Sequence, residues 1–336
     1  MNDALRSRTR PFLTRLLALL ALAGVGAVLA QPSGTLNLYT SMQVDVVEDI
    51  IAAFEEAHPG VTVDMLYSGS VELEQRIYAE QEAGAIRADV IWAANPAFFL
   101  KLKEEDLLLA YESPEAAAVP EGLKDEDHMF VAGRVFNMGI GYNTAIVSEE
   151  EAPKSWAELL EWGPRSALAS PLHSGTSFTA LGAFVYNDEM LGWEWFEQAR
   201  ENGMQLLRGT GDVTRGLTSG EFPVIKGIDY VLANQADEGA PVAFLFPEEG
   251  AVTVASPLAI PADAENVPAA QAFIDFIISQ EGQQVMVGKY FIPVRTDVEP
   301  PAGLPSADEI VSLDIDYDWL AENDAELRER FSELYE

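Results

Sequence analysis

One stretch near the start of the chain, residues 35–92, alternates strand-like and helix-like sequence, and this order constrains the fold more than any other feature. Apolar residues recur at helical spacing in residues 44–58, until Pro59-Gly60 ends the pattern. A β-α-β-α-β order predicts a parallel sheet with helices on its faces, and ligands of such sheets bind beyond the carboxyl ends of the strands. The predicted elements are strands Leu36–Tyr39, Val61–Tyr67 and Asp89–Trp92 and helices Val44–His58, Glu72–Ala83 and one opening at Pro96–Leu100.

A second set of elements is framed by two long extended segments. We predict that Val131–Tyr142 forms a strand that leaves a first lobe, and that the extended segment Thr253–Ile260 returns to it. Two crossings of this kind make a hinge between two α/β lobes. The elements predicted between them are helices at Trp156–Trp162, Leu191–Glu201, Asp212–Ser219 and from Phe178 onward, and strands at Ala167–Ser170, Gln205–Leu207, Val224–Ile228 and Val242–Phe246.

The length of the chain, 336 residues, exceeds what one hydrophobic core comfortably supports, which favours two lobes. We predict a first lobe of residues 31–133 and 251–299, which includes the helix Ala269–Ile278, and a second lobe of residues 134–250. Residues 300–336 are proline-rich, then acidic and helical at Asp318–Tyr335, and we expect them to pack across the lobes.

Residues 1–30 have the layout of a secretory signal peptide, in which four arginines precede an apolar run from Leu16 to Ala30. A membrane anchor is the alternative, but this run is shorter than the span of about 20 residues that a bilayer requires. We expect cleavage near Ala30. Because the chain has no cysteine, it has neither a disulfide framework nor a residue for thioether lipidation, so we expect a free periplasmic protein rather than a lipoprotein.

The chain without this segment is strongly acidic, with 16 basic and 54 acidic side chains and a net charge of −38. Such a surface repels nucleic acid and anionic lipid headgroups, so neither is an expected partner. The net charge does not exclude an anionic ligand, because N–H groups and a single arginine can dominate the field inside a cleft.

Small-residue turns follow four predicted strands, and each precedes a helix. They are Thr40-Ser41, Ser68-Gly69-Ser70, Ser174-Gly175-Thr176 and Thr210-Gly211. Ordinary helix capping explains any one of them. Their recurrence at corresponding strand ends predicts that at least two line a ligand site, where backbone N–H groups and hydroxyls would favour anions or polar oxygens.

Charged and aromatic residues near these turns are further candidates. Asp229, with Tyr230, follows a strand tip and could accept hydrogen bonds from ligand hydroxyls or an ammonium; a solvated loop acid is the alternative. Arg208 lies beside the Gly209-Thr210-Gly211 turn and suits a phosphate or carboxylate, although a surface ion pair would also explain it. Aromatic walls could come from Trp92 and from three tyrosines, although core packing explains most such residues; the tyrosines are Tyr39, Tyr67 and Tyr142.

Catalytic motifs are not found in the sequence, which has no Gly-x-Ser-x-Gly elbow and no His-Glu-x-x-His. A secreted hydrolase is therefore the weakest alternative, and we predict neither an enzyme nor a cofactor nor a metal site.

Short motifs spread over nearly the whole chain carry a family resemblance. They are Leu-Tyr-Thr-Ser-Met at 38–42, Phe54–Val61, Ser-Gly-Ser at 68–70, Ala-Asp-Val-Ile-Trp at 88–92, Gly-Tyr-Asn-Thr at 141–144, Ser-Trp-Ala-Glu-Leu at 155–159, Ser-Gly-Thr at 174–176, Gly-Glu at 220–221 and Ser-Gln-Glu-Gly-Gln at 279–283. In these the chain resembles the solute-binding proteins of bacterial ABC importers with the two-lobed type 2 periplasmic binding fold, in the cluster that binds ferric iron, phosphosugars or phosphonates.

The iron-binding members use a histidine, a glutamate and two adjacent tyrosines. By motif position these places fall on Gln43, Ala94, Tyr230 and Val231, so one ligand of the four is kept. Ferric iron requires hard anionic oxygen donors, and a ferric-iron carrier therefore stays the alternative rather than the first reading.

The similarity to members that bind phosphorylated sugars is closer, and it includes Pro-Glu-Glu-Gly at 247–250. It implies that the serine and threonine turns hold a phosphate, while acids at Asp229 and Glu249 hold hydroxyls. The resemblance also implies an importer component that closes on one small polar, anionic solute and delivers it to permease subunits of the inner membrane. We expect this component to be a monomer.

Overall fold

A single mixed sheet runs through the part of the chain that this computed structural model describes, residues 31–306 and 309–335. The predicted signal peptide lies outside these residues. Ten strands are present in the described part: β1 (Gly34–Thr40), β2 (Val61–Tyr67), β3 (Val90–Trp92), β4 (Leu108–Leu109), β5 (Val131–Asn143), β6 (Ser166–Ala169), β7 (Gln205–Leu207), β8 (Val224–Ile228), β9 (Val242–Leu245) and β10 (Val252–Pro261). Its twelve α-helices are α1 (Val44–Ala57), α2 (Ser70–Glu82), α3 (Pro96–Glu104), α4 (Trp156–Leu160), α5 (Gly175–Tyr186), α6 (Gly192–Glu201), α7 (Thr210–Ser219), α8 (Asp229–Asp237), α9 (Val267–Ile278), α10 (Gln280–Val287), α11 (Tyr317–Glu322) and α12 (Asp324–Tyr335).

The first group of strands consists of β1, β2 and β3, which are parallel with β1 in the centre. Leu38 pairs with Met65 on one side and Val90 on the other. Leu36 and Leu38 are fully buried because α1 and the returning helix α9 cover this face of the sheet. The predicted β-α-β-α-β unit is therefore present in the predicted order.

Two long antiparallel strands, β5 and β10, join the two ends of the sheet. Leu258 of β10 pairs with both Val131 and Trp92, whereas Met138 of β5 pairs with both Val252 and Ile228. The ladder shifts register at Pro257, which lacks the N–H that a regular ladder requires. These strands are the two crossing segments expected from the sequence.

The second group consists of β6, β7 and β8, which are also parallel. The strand order through the sheet is β2-β1-β3-β10-β5-β8-β6-β7, with β4 beside β10 and β9 beside β5. Each parallel group directs its carboxyl ends into short turns that open a helix, and these turns form the site described below.

The helices at the carboxyl terminus contact elements on both sides of the crossing strands. Asp324 pairs with Lys101 of α3 at 3.1 Å, while Arg328 donates to the carbonyl of Pro171 at 3.0 Å and lies 4.0 Å from the ring centroid of Phe178. α11 and α12 thus contact elements near both α3 and α5. None of the described helices has the length and apolar character needed to cross a bilayer.

Several element predictions differ from the structure, and the short strand β4 was not predicted. Helix α8 begins directly at Asp229, where the sequence was interpreted as a strand tip followed by a loop, and helix α10 was not predicted. The predicted tail helix is two helices, because Asn323 ends α11 and α12 begins at the next residue. The residue in the cap position of α8 is Ile228, which is not one of the serine, threonine, aspartate or asparagine caps that usually mark a helix start.

Candidate functional site

A cavity of 240 Å³ lies at the carboxyl ends of both strand groups. Its walls come from turns that are far apart in sequence, and the lining residues are Ser41, Tyr67, Gly69, Ser70, Glu72, His173, Ser174, Thr176, Arg208, Gly209, Thr210, Gly211, Asp212 and Arg215. Residues from all four predicted turns line this one cavity. The site residues predicted from sequence that line it are Ser41, Gly69, Ser70, Ser174, Thr176, Arg208 and Thr210.

Three helices begin at this cavity: α2 at Ser70, α5 at Gly175 and α7 at Thr210. The first-turn N–H groups of a helix have no partner within the helix, and the aligned peptide dipoles make this end positive. Gly69 and Gly209, which precede α2 and α7, have no side chain that could cap these groups. Three converging helix starts favour a ligand that carries negative charge or several acceptor oxygens.

Two hydroxyls in the walls have defined partners. Ser174 Oγ accepts from the N–H of Ser177 at 3.2 Å and so caps α5, while Ser41 Oγ accepts from the N–H of Ala94 at 3.1 Å. In each case the oxygen acts as an acceptor, which leaves the hydroxyl proton free to point towards a ligand. Capping and ligand contact are therefore compatible here.

Two arginines stand at the mouth of the cavity. Arg208 pairs with Glu72 of α2 at 2.5 Å, and Arg215 pairs with Asp212 on its own helix. Both arginine side chains are more than half exposed, at 68% and 75%. The Glu72–Arg208 pair joins a wall from the first strand group to a wall from the second. Arg208 therefore forms the surface ion pair that was its alternative role, and it also lines the cavity.

A line of buried polar side chains runs along β5, β8 and the start of α8. Asn137 Nδ2 donates to Asp229 at 2.8 Å, and burial raises the pKa of Asp229 to about 6 although this bond opposes the shift. Burial also lowers the pKa of Lys226 to about 7. The interpretation of Asp229 as a solvated loop acid was wrong, because only 2% of this residue is exposed.

Arg134 lies in the same region with no carboxylate partner among the described residues. Its guanidinium is 5.1–5.7 Å from the ring centroids of four aromatic residues, Trp92, Phe136, Tyr230 and Phe291. It donates to Tyr230 Oη at 3.3 Å, and its Nε has no partner in the described residues. Burial lowers the pKa of Arg134, the interaction with Tyr230 opposes this shift, and the surrounding ring faces attract the cation.

Several predicted site residues lie outside the cavity lining. Thr40 and Trp92 are fully buried, and Thr40 Oγ1 donates to the carbonyl of Trp92 at 2.9 Å, which joins β1 to β3. Ser68 follows β2 and donates its N–H to the carbonyl of Thr40 at 3.2 Å. Tyr230 is packed on Phe291, with ring centroids 4.1 Å apart. These contacts have a structural role.

Gly175 and Glu249 have specific local roles. A Cβ at Gly175 would lie 2.7 Å from the Cβ of Ser70, so glycine permits the close approach of α5 to α2. Glu249 accepts from the N–H groups of Trp156 and Ala157 at 3.0 and 3.3 Å, and therefore occupies the start of α4 rather than the cavity. Of the predicted aromatic walls, Tyr67 lines the cavity and is half exposed, whereas Tyr39 bonds to Glu80 and Tyr142 is buried.

Sequence reasoning missed Glu72, Arg134 and Lys226. Lys226 is the single charge in the apolar strand Val-Ile-Lys-Gly-Ile, and Arg134 has a similar position in Val-Ala-Gly-Arg-Val-Phe. A lone basic residue within a predicted buried strand is the signal that could have identified both, because such a charge is buried only with compensation.

The described residues give little support for a metal site. They contain no group of three or more histidine, aspartate or glutamate side chains that could hold an ion. Tyr230, the one residue kept from the iron-binding pattern, accepts a hydrogen bond from Arg134 at 3.3 Å and does not line the cavity. Gln43, at the histidine place, lines a neighbouring cavity of 640 Å³ that shares Tyr67, Gly211 and Arg215 with the first.

Two α/β halves share one mixed sheet, two long strands cross between them, and helix starts converge on one cavity. These features define a two-lobed solute receptor. The chain belongs to the bacterial extracellular solute-binding protein family, which it matches over residues 49–311. It is 24% identical over 284 residues to the Fe(3+)-binding periplasmic protein of Serratia marcescens, covering 81% of each chain.

Solved structures show the same fold. The periplasmic binding protein AfuA from Actinobacillus pleuropneumoniae, solved with exogenous fructose-6-phosphate bound, superposes with a TM-score of 0.81 at 22% identity, covering 90% of this chain and 99% of that one. Iron-bound HitA from Pseudomonas aeruginosa superposes with a TM-score of 0.78 at 19% identity, covering 89% and 99%. The fold is thus the type 2 periplasmic binding fold. The family of the chain consists of solute-binding proteins, which are receptors rather than enzymes.

Proposed function

We propose that this receptor captures a small phosphorylated organic solute in the cavity between its lobes. The observation that carries the proposal is the convergence of three helix N-termini, with Ser41, Ser174 and Thr176, on a cavity of 240 Å³. A phosphate group presents three acceptor oxygens and about two negative charges, which matches N–H groups, hydroxyls and an arginine.

The organic part of the ligand has room beside the phosphate. The neighbouring cavity shares Tyr67 as a wall and is lined by Gln43, Thr214, Thr218 and Gln235, whose amides and hydroxyls suit hydroxyl groups. The fructose-6-phosphate in AfuA is a ligand of this kind and supports the proposal by analogy of fold.

Ferric iron is the second candidate because the relative from Serratia marcescens and HitA bind it. The donor set argues against it here. Neutral Gln43 and Ala94 occupy two ligand places, and the hydroxyl of Tyr230 contacts a cation. Ferric iron prefers anionic oxygen donors.

The proposed mode of action is that of the solute-binding component of an ABC importer. We place the first lobe at residues 31–133 and 251–299 and the second at 134–250, with β5 and β10 as the hinge. A bound solute stabilises the closed arrangement because it contacts both lobes, and the closed receptor docks on its permease. We place the receptor, as a monomer cleaved near Ala30 and without a lipid anchor, in the periplasm.

Native mass spectrometry of the purified protein tests this proposal directly, since a co-purified phosphate ester would appear as a defined mass increment. A thermal-shift series with fructose 6-phosphate, a phosphonate, spermidine and ferric citrate complements it. We expect stabilisation by the phosphorylated compounds. Stabilisation by ferric citrate alone, with a visible tyrosinate–iron colour that is lost in Tyr230→Phe, would instead establish the iron carrier.

A further inference from the structure

Lys226 is a buried lysine that no carboxylate of the described residues neutralises. It is 6% exposed, and its Nζ donates to Ser177 Oγ at 3.4 Å. Burial alone accounts for its lowered pKa, without a contribution from a neighbouring charge. An isolated buried ammonium is strongly unfavourable unless it is compensated or loses its proton.

The side chain of Lys226 is directed at the start of a helix. Ser177 lies in the first turn of α5, and the cap of that helix, Ser174, lines the cavity. A helix N-terminus carries about half a positive charge, so it repels an ammonium, and structural lysines are favoured at helix C-termini instead. An anion held at Ser174 and Thr176 would neutralise both positive centres.

We infer that Lys226 is the counter-charge of the ligand site, neutral beneath α5 when the cleft is empty and protonated when an anion occupies it. This inference rests on the proposed function and goes beyond it, because it makes anion binding a proton-coupled event. The proton comes from water or buffer, and no bond of the ligand forms or breaks.

Charged and titratable groups on the surrounding elements do not supply an alternative counter-charge. The strands β6 and β10 carry none. The groups on the other neighbouring elements are Arg134 and Tyr142 on β5, Asp229, Tyr230 and Asp237 on α8, His173 ahead of α5, Tyr186 at the end of α5, and Asp212 and Arg215 on α7. Asp229 already accepts from Asn137 and from its neighbouring N–H, and Asp212 pairs with Arg215.

Calorimetric titration with fructose 6-phosphate and with inorganic phosphate, in buffers of different ionisation enthalpy, tests the inference. At about pH 8, a lysine with a pKa of about 7 is roughly 10% charged, whereas these phosphates are already dianions. We expect the wild-type protein to take up between about half a proton and one proton per bound ligand. Lys226→Met should bind about ten to a hundred times more weakly and take up none.

Lys289→Met is the matched control, because Lys289 is a surface lysine that pairs with Asp49. It should keep both the affinity and the proton uptake. Binding of phosphate by the wild-type protein with no proton uptake would overturn the inference while leaving the proposed function intact. If neither probe binds, the proposed function fails and the inference fails with it.

A second measurement needs no ligand. The chain has six lysines, so a sample labelled with carbon-13 at lysine Cε gives a simple spectrum in which the Lys226 signal is the one missing from Lys226→Met. In the empty protein this signal should titrate near pH 7, far below the ordinary lysine value of about 10.4. A midpoint above about 10 would overturn the inference even if phosphates bind.

Discussion

Arg208 Nη2 lies 2.5 Å from Glu72 Oε1, and this ion pair joins the turn after β7 to helix α2 across the mouth of the cavity. Both residues line the cavity, and they belong to opposite sides of the crossing strands. Glu72 pairs with the guanidinium that a phosphate would use under the proposed function. Under the proposed function, the carboxylate of Glu72 and a phosphorylated ligand compete for Arg208.

Removing either partner of this pair should have opposite effects on anion binding. Glu72→Gln should strengthen the binding of fructose 6-phosphate about two- to fivefold, since an exposed pair is worth about 0–1 kcal/mol. Arg208→Met should weaken it about tenfold or more, because a charge-assisted hydrogen bond is lost. Titration calorimetry measures both, and Arg76→Met, which breaks an ion pair within α2, is the control. Equal weakening of ligand binding by Glu72→Gln and by Arg208→Met would contradict competition between the carboxylate and the ligand.

The double substitution Ser41→Ala with Thr176→Ala should weaken phosphate binding by about 1–3 kcal/mol, because two donors to a charged group are lost. Ser41 also accepts from the N–H of Ala94, so a small loss of thermal stability is expected as well. Ser148→Ala, at an exposed turn outside the cavity, should change neither quantity. An unchanged titration curve for the double variant would remove these residues from the site.

Lys226→Met should stabilise the empty protein, and the gain should depend on pH. The folded pKa of about 7 lies below the ordinary value of about 10.4, so between these pH values the unfolded chain binds more protons and wild-type stability rises with pH. The difference in Tm between variant and wild type should therefore be largest at or below about pH 7 and should shrink towards about pH 10. Thermal unfolding followed by circular dichroism, with Lys289→Met as the control, gives this profile. A difference that is constant with pH would show that Lys226 is charged in the empty cleft.

Arg328→Met should destabilise the protein by about 1–3 kcal/mol. Arg328 donates to the carbonyl of Pro171, pairs with Asp324 and covers the ring of Phe178, and its charge lowers the otherwise raised pKa of the buried Glu74. The substitution removes one of the two cations near these acids and leaves only Lys101, which pairs with Asp324 at 3.1 Å.

Arg330→Met provides the comparison for this prediction, since Arg330 lies on the same helix with half of its side chain exposed. It should cost less than about 1 kcal/mol. Urea unfolding measures both variants, and equal effects would mean that α12 contributes through its helix surface rather than through Arg328.

Much of the fold could be predicted from local patterns. The bounds of β2, β7 and β8 agree with those expected from alternation and apolar runs, because strand period and turn residues are properties of neighbouring residues. Helix α8 was missed because Asp229 begins a helix directly after a buried strand, and the burial of this carboxylate depends on Asn137, 92 residues away.

The candidate site, like the fold, could be predicted from the sequence only in part. The sequence alone determined the alternation of strands and helices, the two crossing segments and the hydroxyl and glycine turns at strand ends. Each of these follows from the spacing of residues that are close together in the sequence. Only the tertiary structure decided which of these turns share a cavity, that Glu249 caps α4, and that Arg134 and Lys226 are buried without a carboxylate partner from residues 31–306 and 309–335. The physical reason is that contact, burial and the resulting cost of a charge are set by packing between residues distant in sequence, which no local pattern encodes.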